Sequence, residues 1–287
     1  MSFLKIVVLA IVQGLAELLP VSSSAHVVVA EKLMGLDPSA PSMTLLLVML
    51  HTGTMFAVIV YFWRRWRATY FSSLAQFKHI AIQVIVATAL TGVLGEALKL
   101  LIEKTAFRGA PHAQIEDLFS HLELIAPALA VGGILILVAG LRERRAREQT
   151  AAVDLTTRQA SLIGAIQGLC LPFRGFSRSG ATISVGMLAG VAKANAESFS
   201  FALAVVLTPF VDAREALRLL QDEHQGGVAA LAGAAVPSLV GALLSFLAGL
   251  VALKWLSRWL ENGRWYLFGG YCLVAAVAVG ALYFAGY

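Results

Sequence analysis

The sequence predicts an all-α polytopic membrane protein with six transmembrane helices and two re-entrant helix-turn-helix elements. Of its 287 residues, 59% are hydrophobic and 14% are charged, whereas soluble domains carry about a quarter charged residues. The basic residues lie in short clusters between apolar runs, as they do in the cytoplasmic loops of membrane proteins. This distribution accounts for the net charge of +5 without nucleic-acid binding, and we expect none.

The first element covers about residues 3–34 and is apolar, but Pro20 and a serine-rich stretch interrupt it. A signal peptide is the weaker interpretation, because Gln13 and Glu17 break the apolar run and the next clear span begins only after about residue 40. Irregular backbone at membrane depth is tolerated only where it is buried in protein or lines a wet cavity. We therefore expect a re-entrant element here.

Six further runs approach the roughly 20 apolar residues that a helix needs to cross the hydrocarbon core. The predicted spans are about 42–63, 80–102, 123–141, 198–220, 228–253 and 264–286. A second broken element, about 160–194, precedes the last three spans and contains Pro172 beside a serine-rich turn. Basic clusters after the first, third and fifth spans predict cytoplasmic loops there: Arg64, Arg65 and Arg67; Arg142, Arg144, Arg145 and Arg147; Lys254, Arg258 and Arg264.

An internal repeat links the two broken elements. IVQGLAELLPVSSSAH begins at Ile11 and AIQGLCLPFRGFSRSGAT begins at Ala165, and each passes from Gln-Gly-Leu through a proline to a hydroxyl-rich turn. Three predicted spans follow each copy, and this odd number of crossings gives the copies opposite orientations, as in inverted-topology repeats. We expect one membrane domain, 1–287, built from a first repeat, 1–150, and an inverted second repeat, 151–287. The two polar clusters would then meet near the pseudo-symmetry axis.

The first cluster contains a carboxylate that needs a partner. Gln13 and Glu17 are four residues apart and share one face of a helix, whereas three serines and His26 follow Pro20 in the irregular stretch. A lone carboxylate inside a membrane is costly unless it is paired. Glu17 is therefore a candidate functional residue, with a metal ion, His26 or an arginine as its partner.

The second cluster, FRGFSRSGAT, supplies Arg174 and Arg178 close to a predicted helix start near Ser179. Glycines admit backbone N–H groups to an anion, a helix N-terminus adds its positive end, and arginine binds phosphate oxygens in bidentate fashion. The pattern predicts a phosphate site, although a helix cap with a snorkelling cation is the alternative, more so for Arg174 than for Arg178. A carboxylate, a histidine and serines opposite such a site favour hydrolysis of a lipid phosphate.

Two signature segments also carry a resemblance to a known family. LAELLPVSSSAH and GFSRSGATIS resemble those of the undecaprenyl-diphosphate phosphatases, the bacitracin-resistance proteins, and HTGTMFAVIVYFW and FSFALAVVLTP resemble that family's flanking helices. The resemblance implies a bacterial inner-membrane enzyme, often a homodimer, whose active site faces the periplasm or exterior. It implies divalent-metal-dependent removal of one phosphate from a polyprenyl diphosphate, undecaprenyl diphosphate, which recycles the carrier lipid of cell-wall synthesis and confers bacitracin resistance.

Position by position, the resemblance assigns roles to four residues. Glu17 matches an acidic residue with metal-binding roles, and Ser23 matches a hydroxyl proposed as the nucleophile. His26 matches the proposed base or acid, and Arg178 matches the arginine that holds the diphosphate. The further substrate-binding residues that we expect are Ser22, Ser24, Arg174, Gly175, Ser177, Ser179, Gly180 and Thr182.

Two residues depart from the family pattern. Gln13 stands where some members carry a glutamate, and its amide oxygen can still help Glu17 to bind Mg²⁺ or Ca²⁺, but more weakly. Arg174 stands where the family usually has a proline, and it either adds a second phosphate contact or distorts the turn. These departures bear on substrate range and efficiency more than on the class of reaction.

Competing interpretations remain at this point. A lipid-phosphate transporter or flippase would also use inverted repeats, an arginine and a buried carboxylate. The other lipid-phosphatase superfamily is rejected, because its motif needs a histidine soon after the arginine and none follows Arg178 until His224. Attack by a serine and attack by a His26-activated water both stay open. His51 is assigned to an interhelical contact or to the cavity, and Asp212 to a charged helix end that could reach the cavity mouth.

Overall fold

In a computed structural model of the chain, residues 2–36, 41–106, 121–145, 155–221 and 227–286 are described. Within these ranges the chain forms ten α-helices and no β-sheet, in agreement with the all-α prediction. Their bounds are α1 Phe3–Leu18, α2 Ser23–Leu33, α3 Pro41–Thr69, α4 Leu74–Ala106, α5 Leu122–Arg145, α6 Thr157–Cys170, α7 Arg178–Leu188, α8 Lys193–Gln221, α9 Gly227–Glu261 and α10 Trp265–Phe284.

Six of these helices are long and apolar enough to cross a membrane, which confirms a multi-pass protein. The candidate spans lie in α3, α4, α5, α8, α9 and α10, the six regions that the sequence predicts. Most of the helices extend beyond the predicted limits: α3, for example, runs to Thr69 rather than to 63. The predicted limits counted apolar residues alone, whereas arginine is a good helix former and lets α3 continue past the hydrocarbon core.

The other four helices form two short pairs at the positions of the two broken elements. In the first pair, α1 ends at Leu18, just before Pro20, and α2 begins at Ser23. In the second pair, α6 ends at Cys170, just before Pro172, and α7 begins at Arg178. Leu19, directly before Pro20, has extended backbone, as proline disfavours helical angles in the residue before it. Leu171 keeps helical backbone, so at the second break the contribution of Pro172 is its missing N–H.

The first helix of each short pair packs on a long helix from the other half of the chain. Helix α1 packs on α9, and α6 packs on α4. A Cβ atom at Gly14 would lie 2.7 Å from the carbonyl oxygen of Ser245 in α9, and one at Gly168 would lie 2.7 Å from that of Thr91 in α4. Glycine at these two motif positions therefore lets the helix backbones come close together, as small residues do in membrane bundles.

Candidate active site

The turns of the two helix pairs face a common cavity of about 300 Å³. Most of the site residues predicted from the sequence line it, and they come from both halves of the chain. The cavity-lining members of the predicted set are Gln13, Glu17, Ser22, Ser23, Ser24, Arg174, Ser177, Arg178 and Ser179.

Glu17 lies at the centre of the polar contacts in this cavity. Its Oε1 accepts a hydrogen bond from Arg178 Nη2 at 2.6 Å, so the carboxylate of the first motif pairs with the arginine of the second. Its Oε2 accepts from Ser23 Oγ at 2.5 Å and from Gln13 Nε2 at 3.2 Å. The buried carboxylate is thus both charge-compensated and hydrogen-bonded, which is the condition for keeping such a group inside a membrane protein.

Ser23 owes its position to an unusual backbone conformation in the residue before it. Ser22 has φ 67° and ψ 90°, in the left-handed region that residues other than glycine rarely adopt. Ser23 then becomes the first residue of α2, with its hydroxyl on the cavity and on Glu17. Strain of this kind persists only where the surroundings hold it, and it is concentrated at functional sites.

The N-termini of α2 and α7 both point to the cavity. Residues 22–24 at the start of α2 and 177–179 at the start of α7 line it. Ser177 caps α7 by accepting a hydrogen bond from the backbone N–H of Gly180 at 3.2 Å. Ser179 Oγ donates to the Leu19 carbonyl at 3.4 Å and ties the two turns together. Because the N-terminal end of a helix carries partial positive charge and unpaired N–H groups, two such ends beside Arg178 make the cavity suited to a polyanion.

Arg174 lies on the wall of the cavity, next to a buried acid. Glu31 in α2 is 2% exposed, its Oε1 has no hydrogen-bond partner, and its charge interacts with that of Arg174. The turn accommodates the arginine, with Gly175 at φ 103° directly after it. A guanidinium on the cavity with its own counter-ion is consistent with the expected second phosphate contact.

Four residues of the predicted set do not line the cavity. Gly175 packs against the backbone carbonyl of Ile125. The backbone N–H of Gly180 donates to the capping hydroxyl of Ser177. Thr182 is buried, and its hydroxyl donates to the Arg178 carbonyl at 2.8 Å. His26 turns to α10. Its Nδ1–H donates to the Ser22 carbonyl at 2.8 Å and its Nε2 accepts from the Tyr271 hydroxyl at 2.6 Å.

Two residues that the sequence left ambiguous lie on the cavity. His51 Nε2 is 3.9 Å from Glu17 Oε2, and its Nδ1–H donates to the Leu47 carbonyl at 2.9 Å. Asp212 accepts a hydrogen bond from Thr52 Oγ1 at 3.3 Å and lines the same space. The only sequence signal for either residue was a polar side chain within a predicted span.

The donor chemistry of the cavity suits a hard cation with few protein ligands. In the described parts of the chain no group of three or more His, Cys, Asp or Glu side chains is arranged to hold a metal. Mg²⁺, however, is commonly bound by one or two carboxylates together with water and substrate phosphates. Glu17, Gln13 and Asp212 place carboxylate and amide oxygens of this kind on the cavity.

Comparisons with known proteins identify the family of the chain. Residues 6–278 match the family model described as bacitracin resistance protein BacA. The chain is 58% identical over 276 residues to undecaprenyl-diphosphatase 2 of Acinetobacter baylyi, and the match covers 95% of each chain. It is 36% identical over 288 residues to undecaprenyl-diphosphatase 2 of Burkholderia orbicola, covering 96% of this chain and 95% of that one.

Proposed function

The chain belongs to the bacitracin resistance protein family, BacA, and we propose that it hydrolyses undecaprenyl diphosphate to undecaprenyl phosphate and phosphate. One observation carries this proposal at the level of the site. A serine bonded to a carboxylate lies at the start of one helix, and an arginine lies at the start of a second helix on the same cavity. A nucleophile, a proton acceptor and a phosphate-binding site are thereby brought together.

In the proposed mechanism the Ser23 hydroxyl is the nucleophile. Its hydrogen bond to Glu17 Oε2 directs the proton to the carboxylate, so Oγ attacks the terminal phosphorus as Glu17 takes the proton. The bond between that phosphorus and the bridging oxygen breaks, and undecaprenyl phosphate leaves. Water then cleaves the phosphoserine, the phosphate departs, and Glu17 returns the proton to Ser23 Oγ.

Charge on the transferred phosphoryl group is bound by fixed donors. Arg178 and the first N–H groups of α2 and α7 are oriented before substrate arrives, which is how electrostatic stabilisation acts without reorganisation. Both ring nitrogens of His26 are engaged away from the cavity. We therefore assign His26 the role of holding the Ser22 carbonyl, and so the strained turn, rather than that of the base.

A divalent cation, Mg²⁺ or Ca²⁺, completes the proposed site. When bound, it offsets the negative charge of the diphosphate. Glu17 and Gln13 would hold it, and Gln13 contributes an uncharged oxygen where a second carboxylate would bind more strongly.

The Gln13→Glu variant should bind the cation more tightly. In the absence of metal, the carboxylate introduced at position 13 and the Glu17 carboxylate repel each other, and a bound cation removes that repulsion. We expect a lower Mg²⁺ or Ca²⁺ concentration for half-maximal activity and a larger metal-dependent rise of Tm in detergent. Gln167→Glu is the matched control, since Gln167 is the repeat equivalent but is buried on Thr91; its metal-dependent rise of Tm should equal that of the unaltered protein. An unchanged metal response in Gln13→Glu would exclude Gln13 as a ligand.

The position of the cavity supports an outward-facing site in the bacterial inner membrane. Leu47 and His51 line it from the N-terminal half of α3, whereas Arg64, Arg65 and Arg67 lie at the opposite end of that helix. Arginine clusters favour the cytoplasmic side. The cavity then lies toward the periplasm or exterior.

The reciprocal packing of α1 and α6 on the opposite halves of the chain supports the inverted repeat and the re-entrant elements. The first and sixth helices each pack on the fourth helix of the other half, as a pseudo-two-fold axis in the membrane requires. Paired half-helices whose N-termini meet at a polar cavity also fit re-entrant segments. A homodimer, implied by the family resemblance, stays a prediction.

The main alternative is a lipid-phosphate flippase, which the same architecture would serve. Purified protein in detergent should release phosphate from undecaprenyl diphosphate when Mg²⁺ or Ca²⁺ is supplied, and this assay separates the two functions. Absence of release with every divalent metal, combined with loss of bacitracin resistance in cells carrying Arg178→Ala, would favour transport.

A further inference from the structure

A second, apolar groove lies beside the active-site cavity. It has a volume of about 670 Å³ and is bounded by α4, α5, α6 and the turn that leads to α7. Among the described residues that line it, Arg174 is the only one with a charged or polar side chain. A groove of this composition suits a hydrocarbon chain and not a second polar ligand.

The groove and the cavity share one wall. Phe173, Arg174 and Phe176, all in the α6–α7 turn, line both spaces. Arg174 is therefore the charged group at the boundary, beside the point where the phosphates of a lipid diphosphate would end and its hydrocarbon would begin. A ligand with a diphosphate in the cavity reaches the groove by passing this turn.

The outer side of the groove faces the bilayer. The lining residues Leu124, Val131 and Leu169 are exposed. Leu124 and Val131 belong to α5, which contains a candidate span, and Leu169 belongs to the short helix α6. The groove is too small for all eleven isoprene units of an undecaprenyl chain. Several units can lie in it while the remainder of the chain stays in lipid.

Another apolar groove provides an internal comparison. It lies between α2, α5 and α10, and is lined by His26, Tyr271 and Val274 among others. None of its lining residues lines the active-site cavity. Apolar surface alone therefore does not distinguish the two grooves, whereas continuity with the phosphate site does.

We propose that the groove between α4, α5 and α6 binds the isoprene units of the substrate nearest to the diphosphate, with the turn 173–176 as the junction. This inference rests on the proposed phosphatase function and adds the location of the hydrocarbon. It also gives the Glu31–Arg174 pair a place in recognition, at the phosphate that remains on the lipid.

A pair of matched substitutions tests the proposal. Val131→Trp fills the groove, and Val274→Trp places the same bulk in the comparison groove from a valine that is likewise exposed. In the purified protein, Val131→Trp should raise KM for undecaprenyl diphosphate by about tenfold or more through lost apolar contact, with kcat less affected. Val274→Trp should leave KM within about twofold, and Tm should show that both proteins fold.

Photolabelling of the unaltered protein gives a second readout that does not depend on a variant. An isoprenoid diphosphate with a photoreactive group on its first units should label peptides of α4, α5 or the α6–α7 turn. Labelling confined to α2 and α10, or equal KM values in the two tryptophan variants, would overturn the proposal. Failure of the wild-type protein to release phosphate would instead count against the phosphatase function itself.

Discussion

Replacing Glu17 by alanine should lower kcat/KM for undecaprenyl diphosphate by about 10³-fold or more, since one carboxylate serves several parts of the site. Glu17 orients Arg178 through one oxygen and receives the Ser23 hydrogen bond on the other. Its loss removes the proposed proton acceptor and leaves the Arg178 guanidinium without this partner. Release of phosphate by the purified variant in detergent measures the effect.

The variant should still insert and fold, because the Arg178 side chain is 23% exposed to the cavity and water can solvate it. Glu197→Gln is a suitable control. Glu197 is also a buried acid within a candidate span, but it accepts a hydrogen bond from Ser257 at 2.7 Å and does not line the cavity. It should retain most of the activity. Near-normal turnover by Glu17→Ala would contradict both the base and the metal-ligand assignments.

Replacing Ser23 by alanine should lower kcat by about 10³-fold, with a smaller effect on KM, since in the proposed mechanism this hydroxyl forms the bond to phosphorus. Acid quenching of the wild-type reaction, with label in the terminal phosphate, should trap phosphoserine at Ser23. Ser24 also lines the cavity, but its hydroxyl contacts Ser22 at 3.3 Å. Ser24→Ala should therefore lose less than about tenfold. Full activity in Ser23→Ala would show that water attacks directly.

The central pairing of the site follows from the sequence by a physical route. The repeated motif and the odd number of spans between its copies predict that the first cluster meets the second, and Arg178 lies 2.6 Å from Glu17. The cost of an unpaired carboxylate in a membrane predicts that Glu17 has a partner, but it leaves a metal ion, His26 and an arginine as alternatives. Prolines at both breaks locate the ends of α1 and α6 within a few residues.

The sequence alone could not predict which face of each helix points toward the cavity. In a soluble helix the polar face indicates which side is exposed, but a membrane helix is apolar all round and this signal is weak. His51 and Asp212 therefore could not be assigned to the cavity in advance. The contact between His26 and Tyr271 joins α2 to the last helix, and no local pattern encodes it.

The packing of α1 on α9 also makes the site a late product of synthesis. The face of α1 that carries Gly14 meets its partner only after α9, near the other end of the chain, has been synthesised. A nascent chain halted after α8 would already contain Glu17, Ser23 and Arg178 but would lack α9, the helix on which the Gly14 face of α1 packs. We therefore expect hydrolysis of the carrier lipid only from chains that contain α9.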